Sequence, residues 1–81
     1  MNPRTFCLWR DHDVSGVSGT GMVAVGVQFP SGRCVIEWLP GTTDVRSLNI
    51  YQSIEEIKAI NGHNGNTRIL FNVGGVYEEE A

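Results

Sequence analysis

The segment that decides the fold is residues 22–29, MVAVGVQF, in which apolar residues recur at every second position. A period of two places such residues on one face of a β-strand. The pattern therefore predicts a strand over these residues whose core-facing side chains are Val23, Val25, Val27 and Phe29. The interior Gly26 indicates a bulge, a sharp bend or another backbone close by.

The residues after this strand predict a hairpin. Pro30-Ser31-Gly32 is typical of a tight turn, because proline fixes φ and glycine adopts positive φ. Residues 33–39, RCVIEWL, return as a third strand. Alternation places Cys34, Ile36 and Trp38 on one face and Arg33, Val35 and Glu37 on the other.

Three further strands are predicted from apolar and β-branched runs. They cover residues 5–10 (TFCLWR), 46–51 and 67–73 (TRILFNV). In the short strand over residues 46–51, Leu48 and Ile50 are expected to point inward. In the last strand, Ile69, Phe71 and Val73 share one face.

One helix is predicted between these last two strands. Ser53 is its N-cap and Glu56, three residues on, completes a capping box. An apolar stripe at helical spacing is formed by Ile54, Ile57 and Ile60. Asn61-Gly62 is expected to end the helix in left-handed geometry.

The order β-β-β-β-α-β predicts an α+β, mostly β domain: a small bent antiparallel sheet or partly open barrel with one short helix. We expect a single domain over residues 1–75 and an acidic flexible tail over residues 76–81. A sheet of this size leaves edge strands that need protection. Pairing such edges across a homodimer is one solution, so a homo-oligomer is expected.

Composition excludes several classes of function. The 81 residues carry nine acidic and six basic side chains, a formal charge of −3, and without Glu78, Glu79 and Glu80 six of each remain, a neutral body. A neutral body argues against nucleic-acid binding, which needs a basic surface. The start of the chain does not resemble a signal peptide, and no apolar run is long enough for a membrane span. A cytoplasmic location without membrane contact is therefore expected. No cofactor is expected either.

The two cysteines, Cys7 and Cys34, lie in apolar runs. They are expected to be buried, reduced thiols that act as small hydrophobic residues.

The first candidate site is the loop over residues 11–21, DHDVSGVSGTG. The glycines of this loop could leave backbone N–H groups free to form an anion-binding nest. The hydroxyl groups of its Ser and Thr residues would add further hydrogen-bond donors. The residues expected to contact such a ligand are Ser15, Ser18, Gly19 and Thr20. The loop lacks the P-loop pattern. The alternative is an ordinary hydrogen-bonded connection between two strands.

The second candidate site is the loop over residues 61–66, NGHNGN. His63 and Asn64 are its candidate ligand-binding residues, and His63 could also serve as a general base. The alternative is a helix terminus and turn in which Gly and Asn are needed for backbone reasons. A metal cluster of His63 with Asp11, His12 and Asp13 is a further alternative, although no metal site is predicted.

The aromatic residues are mostly expected in the core. If one of Trp9 or Trp38 faces outward, it is a natural anchor for a protein interface. Arg10 and Arg33, also on strands, would flank it.

Several of these motifs together resemble a known family. They are SGVSGTG-x-VA-x-GV-x-F-x-SG over residues 15–32, Trp38, Tyr51-x-Ser53-x-Glu55 and Gly62-His63-x-Gly65-x-Thr67. The pattern resembles a family of very short proteins from actinobacteria and their phages, and it covers residues 6–69. The resemblance implies source and compactness rather than a particular activity. Members of that family often carry His-Gly-His where this chain has Asn61-Gly62-His63, which argues against a two-histidine metal site.

These observations favour a small non-enzymatic binding protein, encoded by a phage if the resemblance holds. It would dock to a host protein or sequester a small anionic, nucleotide-like ligand through its glycine-rich loops. One alternative is a small metal-assisted or histidine-dependent hydrolase that uses His63 with Asp11 or Asp13. Another is a structural subunit of a homo-oligomer.

Overall fold

The computed structural model describes residues 2–11, 20–40, 46–62 and 65–79. Within them lie one α-helix and six strands, all in one antiparallel sheet of order β4-β3-β2-β1-β5-β6. The elements are β1 (Arg4–Arg10), β2 (Gly21–Gln28), β3 (Cys34–Trp38), β4 (Leu48–Tyr51), α1 (Ile54–Asn61), β5 (Thr67–Val73) and β6 (Val76–Glu79).

The sheet confirms the predicted α+β, mostly β class. Strands β1 to β4 form a continuous antiparallel meander. After α1 the chain returns to the other side of β1, where β5 pairs with it antiparallel. The first strand of the chain is therefore central in the sheet.

The predicted element order lacks the sixth strand. Val76–Glu79 pair with β5 as strand β6, whereas the sequence placed these residues in a tail. Gly74 and Gly75 have φ of 61° and 91°, the positive values that a two-residue hairpin turn of type I′ requires. The Gly-Gly pair is thus a hairpin turn between two strands.

The helix begins as predicted. The Ser53 hydroxyl accepts a hydrogen bond from the Glu56 N–H at 3.1 Å, and the Glu56 carboxylate accepts one from the Gln52 N–H at 3.0 Å. Ile57 is buried against the sheet, but Ile60 is exposed. The expected left-handed ending is wrong, because Gly62 has a φ of −68° and its N–H continues the helical pattern to the Lys58 carbonyl.

The two faces of the sheet have different environments. We call the face against α1 the helix-side face. It carries Phe6, Leu8, Ala24, Cys34, Ile36, Tyr51, Ile69 and Phe71, which are all buried and form the core with Val23 and Ile57.

The opposite side we call the open face, because no described element covers it. It carries Cys7, Val25, Val27, Val35, Glu37, Leu48, Ile50, Leu70, Asn72 and Tyr77.

The predicted inward face of β2 is wrong over most of its length. The register between β1 and β2 shifts between Leu8 and Trp9, which leaves Val23 as an extra residue in β2. Val23 is buried at this irregularity, and beyond it Ala24 and Gly26 point to the helix-side core. Val25 and Val27 therefore lie half-buried on the open face. Phe29, also expected in the core, is exposed.

Gly26 is required by close packing with β1. A Cβ at this position would lie 2.5 Å from Cζ of Phe6 and 2.9 Å from the carbonyl oxygen of Val35. Gly26 is directly opposite Phe6 in the β1–β2 register. The Phe6 ring thus occupies the space above the glycine, and it also packs against Phe71 with ring centroids 5.6 Å apart.

Strand β4 is more exposed than the sequence indicated. Leu48 and Ile50, expected to point inward, have 65% and 75% of their surface exposed. The inward residue of β4 is Tyr51, which is buried beneath α1. The reason is its position at the edge of the sheet, where the open face has no layer above it.

Candidate functional site

The bases of the two predicted glycine-rich loops lie side by side. The Asp11 N–H donates a hydrogen bond to the Asn66 carbonyl at 2.7 Å. In the adjoining strands, Arg10 is opposite both Thr67 of β5 and Gly21 of β2. Both loops therefore leave the same end of the sheet.

An ion cluster holds this end of the sheet together. The Arg68 guanidinium donates to both carboxylate oxygens of Asp11, at 2.7 and 2.9 Å. It also lies 3.6 Å from the Glu79 carboxylate. The hydrogen bond to Asp11 is the main reason that the pKa of Arg68 is raised. Arg68 of β5 thus contacts both Asp11, at the end of β1, and Glu79 of β6.

Most of the predicted loop residues lie outside the described part of the chain. These residues are Ser15, Ser18, Gly19, His63 and Asn64, and His12 and Asp13 of the alternative metal cluster. Thr20 is described and is exposed. Among the described residues, no group of three or more His, Cys, Asp and Glu side chains is placed to hold a metal ion. The ligand-binding and hydrolase hypotheses for these loops stay predictions.

The two tryptophans of the predicted interface occupy different environments. Trp9 is on the open side of β1, 37% exposed, and is paired with Met22. Trp38 is half-buried, packs against the helix-side core, and its Nε1 donates a hydrogen bond to Oδ1 of Asn49 at 2.7 Å. Of the two, Trp9 has the more accessible ring.

The two predicted flanking arginines also differ. Arg10 is 4% exposed, and its Nε donates to the Thr67 hydroxyl at 3.1 Å. Arg33 is exposed and borders a surface cavity of about 390 Å³ beside Phe29 and Ile50. Arg33 is therefore the arginine that a partner could reach at the surface, and an interface role for either residue stays a prediction.

The open face contains a larger groove to which all six strands contribute. Its volume is about 540 Å³, within the range of ligand and side-chain pockets. Leu48 of β4 and Tyr77 of β6, from the two opposite edges of the sheet, both border it. Its other lining residues are Thr5, Phe6, Val25, Gly26, Val27, Val35, Glu37 and Asn72.

The groove is mostly apolar and carries one charged group. Valines from β2 and β3 line its centre, and Glu37 is the only ionisable acid or base among its lining residues apart from the Tyr77 phenol. The Glu37 carboxylate oxygen Oε1 is 3.9 Å from Nη1 of the exposed Arg46 guanidinium. The groove therefore presents apolar surface with a few hydrogen-bonding groups, and none of the described residues that line it is a cation.

The sequence reading missed this groove for two reasons. Val25 and Val27 were assigned to the core, because alternation indicates that residues share a face but not which face is covered. Tyr77 was assigned to a tail. The Gly-Gly pair between an apolar run and Val76-Tyr77 was the available signal for the hairpin that brings Tyr77 onto the open face.

The cysteines confirm the prediction of buried, reduced thiols. Cys7 is on the open face and Cys34 on the helix-side face, and both are free. Burial raises the pKa of both thiols, and the Glu55 carboxylate raises that of Cys34 further. A raised pKa disfavours the thiolate, which is the nucleophilic form of cysteine.

Together these features define a small, mostly β protein with an apolar groove across one sheet face. No helix among the described residues has the length and apolar character needed to cross a membrane. A family model described as Acb5 phage protein matches residues 3–72, so the chain belongs to this phage-protein family. No curated protein and no solved structure matches the chain. The expected membership of a phage-protein family is thereby confirmed, while the actinobacterial source stays a prediction.

Proposed function

We propose that this chain is a phage-encoded accessory protein that binds a host protein through the open-face groove, without catalysing a reaction. The observation that carries the proposal is the groove itself, which is apolar and accessible. Other large apolar side chains on the same face are also exposed: Trp9, Met22, Leu48, Ile50 and Tyr77. Exposed apolar side chains beside an apolar groove are typical of an interaction surface.

The buried core of the chain does not explain why the open face is apolar. The helix-side face already supplies a buried core in which Phe6, Leu8 and Ile36 are at most 1% exposed. Val27 and Val35, by contrast, lie on the open face and are only half-buried. They take no part in the core on the helix-side face, so that core does not explain why these two positions are apolar. An apolar partner surface would remove these valines from water, which favours binding by about 25 cal/mol for each Å² of apolar surface buried.

The charge of the groove favours a protein over an anionic small molecule. Among the described residues that line it, Glu37 is the charged one; Arg46 lies 3.9 Å from its carboxylate but does not line the groove, so the charge at the groove itself is negative and repels a phosphate group. A protein element with apolar side chains, such as one face of a helix, would fit the shape of the groove and make apolar contacts with its lining residues. Thr5 and Asn72 offer hydrogen bonds to polar groups of that element.

Photo-crosslinking during infection tests the proposal. Benzoylphenylalanine replaces Tyr77, at the border of the groove, in a tagged copy expressed in the host. A matched variant carries it in place of Lys58, which is exposed on α1 across the sheet. We expect the Tyr77 variant, and not the Lys58 variant, to form one discrete adduct with a host protein.

Introducing a charge into the groove completes this test. Val27→Glu places a carboxylate in the groove, and Lys58→Glu serves as the control with the same new side chain. Val27→Glu should abolish the adduct at Tyr77 while the circular dichroism spectrum is retained, and Lys58→Glu should leave the adduct unchanged. An adduct that survives Val27→Glu, or that forms only from position 58, contradicts the proposal.

A further inference from the structure

The two edges of the sheet are protected to different degrees. Strand β6 ends in Glu78 and Glu79, and charged residues on an edge strand discourage pairing with other chains. Strand β4 has the sequence Leu-Asn-Ile-Tyr and carries no charge. Its Leu48 and Ile50 are among the most exposed large apolar residues described, at 65% and 75%. The β4 edge therefore has the properties of a strand that pairs with another strand.

The hydrogen-bond pattern shows which backbone groups of β4 point away from β3. The Trp38 N–H donates to the Ser47 carbonyl at 2.9 Å, in the same register that pairs β3 with β4. Because antiparallel bonding alternates along a strand, Asn49 and Tyr51 also direct their backbone groups toward β3. Leu48 and Ile50 consequently direct their N–H and C=O groups away from the sheet.

We infer that a second copy of this chain pairs with the β4 edge, antiparallel and about a two-fold axis, to form a continuous sheet. In the register we assign, Asn49 lies opposite Asn49 of the second copy, and Leu48 lies opposite Ile50. Leu48 and Ile50 are the residues with outward backbone groups, so each such pair exchanges two hydrogen bonds. The same register places apolar side chains opposite each other on one face.

The charges beside β4 support an antiparallel arrangement of two identical edges. Arg46 precedes the strand, whereas Glu55 and Glu56 follow it at the start of α1. Antiparallel pairing places the basic end of one copy beside the acidic end of the other. A parallel arrangement would place like charges together. The edge is thus self-complementary in hydrogen bonding, apolar pairing and charge, as an isologous contact requires.

Cysteine crosslinking tests the register. Directly opposed residues in a non-hydrogen-bonded antiparallel pair have Cα atoms about 4.5 Å apart, within reach of a disulfide. Asn49→Cys should therefore form a covalent dimer under mild oxidation. Ser47→Cys, two residues away, should remain monomeric on a non-reducing gel, because its copies lie more than about 7 Å apart. Cys7 and Cys34 are buried in the unsubstituted chain, so they are not expected to contribute crosslinks. No crosslink from Asn49→Cys, or equal crosslinking of both variants, overturns this register.

Sedimentation velocity tests the assembly without crosslinks. The wild-type chain should sediment as a dimer. Ile50→Pro removes one outward N–H and no bond to β3, so it should yield a folded monomer. Val76→Lys, on the opposite edge, should remain dimeric. A monomeric wild type, or a dimeric Ile50→Pro, refutes the inference. Only the purified chain is present in this assay, so its outcome does not depend on host-protein binding.

Discussion

The helix-side and open faces are built from the same strands and similar apolar residues, yet only one is sealed. Phe6, Leu8 and Ile36 are almost fully buried beneath α1, while Val27 and Val35 on the reverse side are half-buried. The difference arises from where the helix docks and from the register shift opposite Leu8 and Trp9, not from hydrophobicity. Apolar alternation along a strand thus shows which residues share a face. Whether that face is buried depends on whether another element packs over it.

The largest expected effect is a truncation on the helix-side face. Phe6→Ala removes a buried ring that contacts Phe71 and covers Gly26, so it should lower the free energy of unfolding by about 3–5 kcal/mol. Val35→Ala on the open face should cost about 1 kcal/mol or less, since Val35 is already partly in water. Urea denaturation of both variants measures the contrast. Equal losses would show that the open face is also part of the stabilising core.

An intermediate effect is expected where the two faces meet at Gly26. Gly26→Ala introduces a Cβ against the Phe6 ring and the Val35 carbonyl, and overpacking of this kind costs about 1–3 kcal/mol. In a Phe6→Leu background the ring clash is removed, so the same substitution should cost at least about 0.5 kcal/mol less. A double-mutant cycle by denaturation measures this coupling. Additive costs would contradict the proposed contact between Phe6 and Gly26.

The smallest effect concerns pH and compares one cysteine from each face. Unfolded thiols lose their protons near pH 8.5, whereas burial raises the pKa of Cys7 and Cys34 in the folded protein. Above that pH the unfolded chain binds fewer protons than the folded chain, so stability should fall as pH rises.

The pH experiment compares unfolding free energies between pH 7.5 and the alkaline range. Cys7→Ala and Cys34→Ala should each show a shallower decline than the wild type, because each removes one perturbed thiol. If all three profiles have the same slope, the thiols are not the cause of the decline.

The sequence predicted most of the sheet and the start of the helix. Strands β1, β2, β3 and β5 were found from their apolar runs, and the turn at residues 30–32 is present, with a hydrogen bond from the Gly32 N–H to the Phe29 carbonyl. Ser53 and Glu56 were sufficient to place the N-terminus of α1. These features depend on local chemistry, which is why one sequence sufficed.

The remaining features depend on tertiary context. Whether Leu48 and Ile50 are buried depends on what lies across the sheet from β4, which alternation does not specify. Burial of Val23 depends on an irregular pairing with β1. The groove requires residues from β1 and β6 that are far apart in sequence, so no local pattern indicates it.

The central position of β1 has a consequence for how the chain folds. The pairs β1–β2, β2–β3 and β3–β4 join sequence neighbours, whereas the β1–β5 pair joins Arg10 to Thr67, 57 positions apart. Closing a loop of that length costs about 3.5 kcal/mol in chain entropy, plus a constant, before any contact is gained. We therefore expect the meander to form first during synthesis and refolding, with one side of β1 unpaired until the β5–β6 hairpin arrives. Pulse-labelled hydrogen exchange would detect this order as late protection of the β1–β5 bonds.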